Sequence, residues 1–400
     1  MTDFLLADQL LNHVRVLSQQ IGPRPAGHSA EAQAREYIRC ALAEAGFSEI
    51  EAMPFYTWDT WGYSLFVPVA LTLGGNLLGK MGRTANIIGA LTALLSAYHL
   101  WRASVANRQP LSPLFPKRPT ANLLVRIPPK TRRRHRVVLI GHTDTNKHRA
   151  MFSPATKHFL QASTTLGMLL PLVNGLAQLA QAARPGKKAT LLQQASLMGL
   201  MSLLFVVMYD EKEGYIEGAN DNASAVACLL GLGAHLKQNP LDQTEVWLAF
   251  TSAEEVGCLG MHQLLDAYGR QLADAWLIDF EMVGAKDVAY VTRHSSLSYL
   301  GAYTPDKESI ALAEAVSQQH PELNVSGRPM IITEEVGSLR GRGYRGICLV
   351  GVGEDGWLAN WHQYNDNFNH IEPSGLERAA RFALAMMQML DESGSYLGKS

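Results

Sequence analysis

The chain has 400 residues, 47% of them hydrophobic, and a formal net charge of -1. Such a length and apolar content supply a sizeable core, in one large interrupted domain or two, and exclude wholesale disorder. The near-zero charge excludes a global field that would attract nucleic acid, and Arg132-Arg133-Arg134 reads as a solvated loop ahead of a strand.

In chain order, Leu6, Leu10, Val14 and Leu17 share one face of a helix over residues 4–20. IGPRPAGH (21–28) breaks it, a second amphipathic helix runs over about 30–45 to Gly46, and 48–56 reads as a strand. Segments 63–79 and 84–101 then contain no Asp, Glu, Lys or Arg, with Lys80, Gly82 and Arg83 between them. After the Pro-rich 110–119, residues 121–127 and 136–141 read as strands, the second a buried apolar run. Segments 163–183 and 189–209 repeat the uncharged pattern around Arg184, Pro185, Gly186, Lys187 and Lys188. An α/β pattern follows: helix 222–238, strand 244–251, helix 257–268, strand 275–280, strand 288–292, a helix from Pro305, strand 346–351 and helix 373–391. The division this predicts is an α/β domain in three pieces, 1–60, 120–150 and 214–400, interrupted by apolar helical hairpins at 61–119 and 151–213.

The four uncharged segments have 17, 18, 21 and 21 residues. A spanning helix needs about 20, so residues 63–101 and 163–209 are expected to meet a membrane, with a soluble arm buried in a homodimer as the alternative. Basic residues stand at both tips and both bases of the hairpins, so charge does not set orientation. Cys40, Cys228, Cys258 and Cys348 form no C-x-x-C pair and read as buried free thiols, which fits a reducing compartment. The N-terminal stretch lacks the basic and continuous apolar parts of a secretory signal. The expectation is a bacterial inner-membrane protein with its α/β domain on the cytoplasmic side.

Five short stretches carry chemistry. His142 and Asp144 follow a strand and, two apart on extended chain, share a face; a metal-bound imidazole commonly gives its other N–H to a carboxylate. H-x-D alone also fits a strand-end histidine beside a turn aspartate. Asp221, in GANDNASAV, can bridge two cations or cap a helix. Glu254 and Glu255 follow EVWLAFTS; one can bind metal while the other takes a proton from water, though Ser252 and Glu255 also have capping-box spacing. Asp279 and Glu281 close the strand in WLIDFEMVG, and one of them would be a ligand. His362 lies in NWHQYND, with Asp366 four residues on. Glu334-Glu335 reads as a pair of solvated charges.

The motifs GHTDT, GANDNAS, SAEEVGCLG, DFEMVG and WHQYND, preceded by IGPRPAGH and an amphipathic helix, resemble in content and order the M28 metallopeptidases. That resemblance implies a three-layer α/β/α fold with a mixed, mostly parallel central sheet, and a zinc-dependent hydrolase acting on peptides, an aminopeptidase above all. It implies two Zn²⁺ ions, with His142 on one, Asp221 bridging, Glu255 and His362 on the other, Glu281 preferred to Asp279, Glu254 as general base and Asp144 orienting His142. Asp366 would support the closing loop. Ala225, Glu281 and Gln363 depart from the commoner glycine, aspartate and threonine, and the stretch from His142 to Asp221 is unusually long. Glutaminyl cyclisation, hydrolysis of a non-peptide amide, and a non-catalytic membrane receptor or scaffold stand as alternatives.

Overall fold

A computed structural model describes residues 3–393; the ends of the first and last predicted pieces, 1–2 and 394–400, lie outside it. Among the described residues the strands are β1 (Glu51–Thr57), β2 (Arg118–Ile127), β3 (His135–His142), β4 (Thr244–Thr251), β5 (Trp276–Glu281), β6 (Asp287–Ser295), β7 (Ala302–Tyr303), β8 (Val325–Ile331) and β9 (Ile347–Val352). They form one mixed sheet in the order β1-β2-β4-β3-β5-β9-β6-β7, with β8 also paired to β6. The middle pairings, β4–β3, β3–β5 and β5–β9, are parallel, while β1–β2, β2–β4, β9–β6 and β6–β7 are antiparallel. Continuous apolar runs such as VVLIG in β3 suit these central strands, which are covered on both faces.

The helices are α1 (Ala7–Arg15), α2 (Ser29–Glu44), α3 (Gly62–Gly79), α4 (Arg83–Ala103), α5 (Leu160–Ala183), α6 (Lys187–Asp210), α7 (Ser224–Gln238), α8 (Leu259–Leu272), α9 (Lys307–Gln319), α10 (Glu335–Arg340) and α11 (Pro373–Ser393). One core layer joins α1, α2, α7, α9 and α11 to the sheet through Leu10, Ile38, Leu229, Val316 and Phe382. The other packs α8 and α10 on the opposite face through Met261, Leu265, Val336 and Leu339. The α/β/α layering is therefore present.

Several sequence expectations shift locally. The first helix ends as α at Arg15 and continues as a π-helical turn over Val16–Ile21. Pro305 lies ahead of α9, whose cap is Asp306, accepting the Ser309 N–H at 2.8 Å. β7, β8 and α10 were not predicted; β8 contains Gly327 and Pro329 and α10 has six residues, too short for a helical period to show. Cys40 is exposed on α2 and corrects the expectation of four buried thiols; Cys228, Cys258 and Cys348 are buried.

Helices α3 to α6 pack into one four-helix arm whose polarity is inverted. Its interior holds a chain of amides: Gln193 Nε2 donates to Asn76 Oδ1 (2.7 Å), Asn76 Nδ2 to Asn174 Oδ1 (2.5 Å), Gln178 Nε2 to the same oxygen (2.7 Å), and Asn174 Nδ2 to Ser196 Oγ (2.8 Å). Its outside presents Leu77, Met81, Ile88, Leu91, Leu176, Leu191, Met198, Met201 and Phe205, all exposed. Stretches Gly62–Gly79, Lys157–Ala183 and Lys187–Asp210 are long and apolar enough to cross a membrane; α4, which carries Arg83, Asn86, His99 and Arg102, is not among them.

Arg24, inside the IGPRPAGH break, is buried and clamps three segments that lead to the site. It donates to the carbonyls of Thr143 (3.0 Å), Leu17 (2.9 Å), Gly22 (2.9 Å), Glu217 (2.8 Å) and Gly218 (2.7 Å). Truncation strands these acceptors, so Arg24→Ala is expected to cost about 3 kcal/mol or more. The readout is the denaturation midpoint in detergent; an unchanged midpoint would show that the clamp carries no stability.

Candidate metal centre

Parallel β3, β4 and β5 end at the same edge, where an open α/β sheet places its chemistry. β3 delivers His142 at its last residue, β5 delivers Glu281 at its last, and the chain leaving β4 carries Glu254 and Glu255. Asp221 sits in the irregular turn Ala219–Ala223 ahead of α7, and His362 in the loop after β9. Three non-glycine residues here adopt left-handed backbone: Ala253 (φ 58°), Met282 (φ 54°) and His362 itself (φ 51°). Such strain persists only where the surroundings hold it, and it collects at functional sites.

The structure brings His142, Asp221, Glu254, Glu255, Glu281 and His362 into one buried cluster. Asp221 lies at its middle, with one oxygen toward each side: Oδ1 is 3.3 Å from His142 Nε2 and Oδ2 is 3.3 Å from His362 Nε2. Glu281 Oε1 completes the first side at 3.4 Å from His142 Nε2, and Glu255 Oε2 the second at 3.1 Å from His362 Nε2. Glu254 Oε2 stands 3.9 Å from His142 Nε2. Among the described residues neither Asp221 oxygen meets a hydrogen-bond donor within bonding geometry, nor does Glu255 Oε1. Buried carboxylate oxygens without donors are costly unless a cation or proton meets them. Two imidazoles and three carboxylates, with no thiolate, suit zinc and similar divalent ions, so the residues present fit the implied metal.

Other groups hold these side chains. Asp144 presents its main-chain carbonyl to His142 Nδ1 at 3.1 Å, with its carboxylate at 3.6 Å. That carboxylate mainly anchors the Glu254-Glu255 turn, accepting the N–H of Glu254 (3.1 Å) and of Glu255 (3.2 Å). The capping-box alternative for Ser252 and Glu255 does not hold, because α8 starts only at Leu259 and Ser252 bonds Thr120 and Glu31 instead. Asp366 accepts the N–H groups of Asn220 (2.6 Å) and Asp221 (3.0 Å), fixing the turn that carries Asp221.

Asp279 stays outside the cluster. It lies deeper on the same face, beside Glu334 and Cys348, with ligating atoms of the three within 4.8 Å of one another. Glu334 and Glu335, expected as solvated charges, are both buried: Glu334 caps α10 through the Val336 N–H (2.5 Å) and meets His294 at 2.8 Å. The sequence could not show that β5 and β6 bring polar partners beneath that loop. Sequence reading also missed Asn146, whose Nδ2 donates to Glu255 Oε2 (2.9 Å), and Asn222, whose Nδ2 donates to Glu281 Oε2 (2.9 Å). Their signal was adjacency to His142 and Asp221, in HTDTN and NDN.

Charge in the cluster is balanced by protons when no cation is present. Burial opposes charging of both histidines, yet Glu281 beside His142 and Glu255 beside His362 raise them, His142 well above its usual value and His362 to about 9. Burial lifts the Glu281 carboxyl to about 8, and it lifts Glu254 well above the carboxylate range. Burial would also raise Asp221, but the His142 and His362 rings 3.3 Å from its two oxygens hold it below the usual value. At pH 7 the raised histidines thus hold protons that an incoming cation must displace. Zinc affinity of the metal-free protein is expected to strengthen from pH 7 to about pH 9, with proton release on binding. Calorimetry in buffers of different ionisation enthalpy measures this; zinc uptake with no proton release contradicts it. A raised histidine stabilises the metal-free fold fully below pH 6.5, and the His362 share is lost as pH rises through about 9.

Residues 202–387 match the family profile described as Peptidase family M28. A search of curated protein sequences gave no match. Among solved structures, a zinc aminopeptidase from Bacillus subtilis aligns with TM-score 0.58 at 12% identity, covering 96% of this chain and 95% of that one. A Zn-dependent exopeptidase from Parabacteroides distasonis aligns with TM-score 0.55 at 15% identity, covering 97% and 99%. The glutaminyl cyclase of Porphyromonas gingivalis aligns with TM-score 0.57 at 13% identity, covering 97% and 100%. At such identities these likenesses establish a shared fold.

Proposed function

We propose that this chain, whose residues 202–387 match the profile of peptidase family M28, is a membrane-anchored zinc aminopeptidase that removes residues from the N-termini of peptides. The observation that carries the reading is Asp221, whose two donor-free oxygens face two matched half-sites, His142 with Glu281 and His362 with Glu255. Zinc held there would supply an acidified water and positive charge for the carbonyl oxygen.

The protein's own groups supply the rest. The Glu254 carboxyl, lifted by burial, suits a group that accepts the proton of the attacking water and returns it to the leaving amine. Asp144 fixes the Glu254 and Glu255 main chain, so base and ligand keep a constant separation. Asn222 and Asn146 orient Glu281 and Glu255. The cluster is nearly closed, with Glu254 only 9% exposed, which favours a chain end over the middle of a peptide. Solved structures of similar fold include a zinc aminopeptidase and a leucine aminopeptidase precursor beside glutaminyl cyclases, so the choice between the two chemistries rests on the substrate panel.

A panel of aminoacyl amides, N-blocked peptides and N-terminal glutaminyl peptides tests the reading. Release of free N-terminal amino acids, abolished by a chelator and restored by zinc, is expected. Pyroglutamyl product from the glutaminyl peptides without hydrolysis of the others would instead assign cyclase chemistry, and turnover of neither would leave a non-peptide amide substrate or a scaffold role.

The arm's buried amides and exposed leucines suit lipid as its solvent, because polar groups then satisfy one another inside while apolar groups face the acyl chains. The full chain is expected in the membrane fraction, released by detergent and not by high salt. Recovery as a detergent-free soluble dimer would favour the homodimer arm. A cytoplasmic catalytic domain is the orientation that the free thiols support, and digestion of that domain from the outer side would refute it.

A further inference from the structure

Both hairpins take root beside one half of the metal centre, and a single buried arginine joins them to it. α3 starts just after Thr60 and Trp61, and α6 ends at Asp210, followed by Glu211. Arg149, 1% exposed, lies between these roots. Its Nη1 donates to Asp210 Oδ2 (3.1 Å) and Glu211 Oε1 (2.6 Å), and its Nη2 to Thr60 Oγ1 (3.0 Å). The guanidinium also lies over the Trp61 ring, 4.5 Å from its centroid.

The remaining contacts of Arg149 point to the ligands. Its Nε donates to Asn146 Oδ1 (3.0 Å), the same Asn146 whose Nδ2 donates to Glu255 Oε2. Its main-chain N–H donates to the His362 carbonyl (2.9 Å), and its own carbonyl accepts from Gln363 Nε2 (2.9 Å). Trp61, from the root of α3, meets the His362 ring edge-on at 5.7 Å, and Phe152 meets it at 4.7 Å. The opposite half is held by other groups, Asn222 on Glu281 and the Asp144 carbonyl on His142.

We propose that Arg149 is a positioning residue that couples the helical arm to the Glu255–His362 half of the centre, so that zinc affinity there depends on both hairpin roots staying docked. The coupling rests on the two-cation reading above. Arg149 touches no ligand-bearing side chain except through Asn146; it acts by setting that amide against Glu255 and by holding the turn in which His362 keeps its left-handed backbone. The role needs a planar fork with several directed donors, which lysine, a single ammonium on a flexible stem, does not supply. Groups that orient metal ligands typically govern about 10- to 100-fold in metal affinity.

The test uses the full chain in lipid nanodiscs, stripped of metal and titrated with zinc against a fluorescent chelator, with no substrate present. Arg149→Lys is expected to weaken one of two zinc sites by about 10- to 100-fold and to leave the other within about threefold. Thr60→Val and Asp210→Asn, at the two roots, are expected to weaken the same site, and Asp210→Asn combined with Arg149→Lys to be less than additive. In cobalt-loaded protein the visible bands of one site should shift while those of the other stay. Unchanged affinities at both sites, or equal losses at both, would overturn the coupling. Should Arg149→Lys fail to fold, the two root variants decide by the same criterion. A wild-type chain that binds no zinc would instead sink the two-cation reading itself.

Discussion

Glu254→Gln is expected to cut peptide hydrolysis by about 100- to 10,000-fold while the protein keeps its full zinc content. The substitution leaves size and shape nearly unchanged and removes only the ability to take up a proton. Glu254 is not one of the groups that face Asp221 across either half-site; it stands 3.9 Å from His142 Nε2 and accepts a weak contact from the Cys258 thiol at 3.2 Å. Its main chain is fixed by Asp144, so the amide should occupy the same place. Activity and metal content are therefore expected to part company. Steady-state kinetics beside elemental analysis checks this, and a variant with wild-type turnover would remove Glu254 from the proton-transfer role.

Asp221→Asn is expected to produce a different failure: loss of both metals together and a fall in hydrolysis of about a thousandfold or more, the equivalent of several kcal/mol of charge stabilisation at 1.36 kcal/mol per decade. Each oxygen of Asp221 serves one half-site, and a neutral amide presents one oxygen and one NH₂ to two positions that both call for negative charge. His142→Ala, in contrast, removes a ligand from one half only and should retain zinc at the other. Elemental analysis after dialysis distinguishes the two, and an Asp221→Asn protein that still carries both ions would show that the half-sites are independent.

The candidate metal edge was legible because its residues sit at strand ends that apolar runs such as VVLIG and VWLAF announce. Two-residue spacing also correctly favoured a shared face for Asp279 and Glu281, but only depth along β5 separates them: Glu281 reaches the cluster while Asp279 lies with Glu334 and Cys348. Depth has no local signature. The same limit explains Glu334, which is buried against His294 from a strand some forty residues earlier. The enclosed roles of Arg24 and Arg149 have no local signature for a related reason. Each satisfies carbonyls, amides or acids from several distant segments, and a lone arginine in a polar loop looks the same in sequence whether it is solvated or enclosed. The arm was visible as four uncharged segments, yet its inward amide chain depends on how the hairpins face one another.

Zinc-edge anomalous diffraction from crystals of the full chain tests the central claim most directly. Two peaks are predicted, one among His142, Asp221 and Glu281 and the other among His362, Asp221 and Glu255. Zinc found only beside Asp279, Glu334 and Cys348, or no zinc in the cluster at saturating metal, would contradict the account.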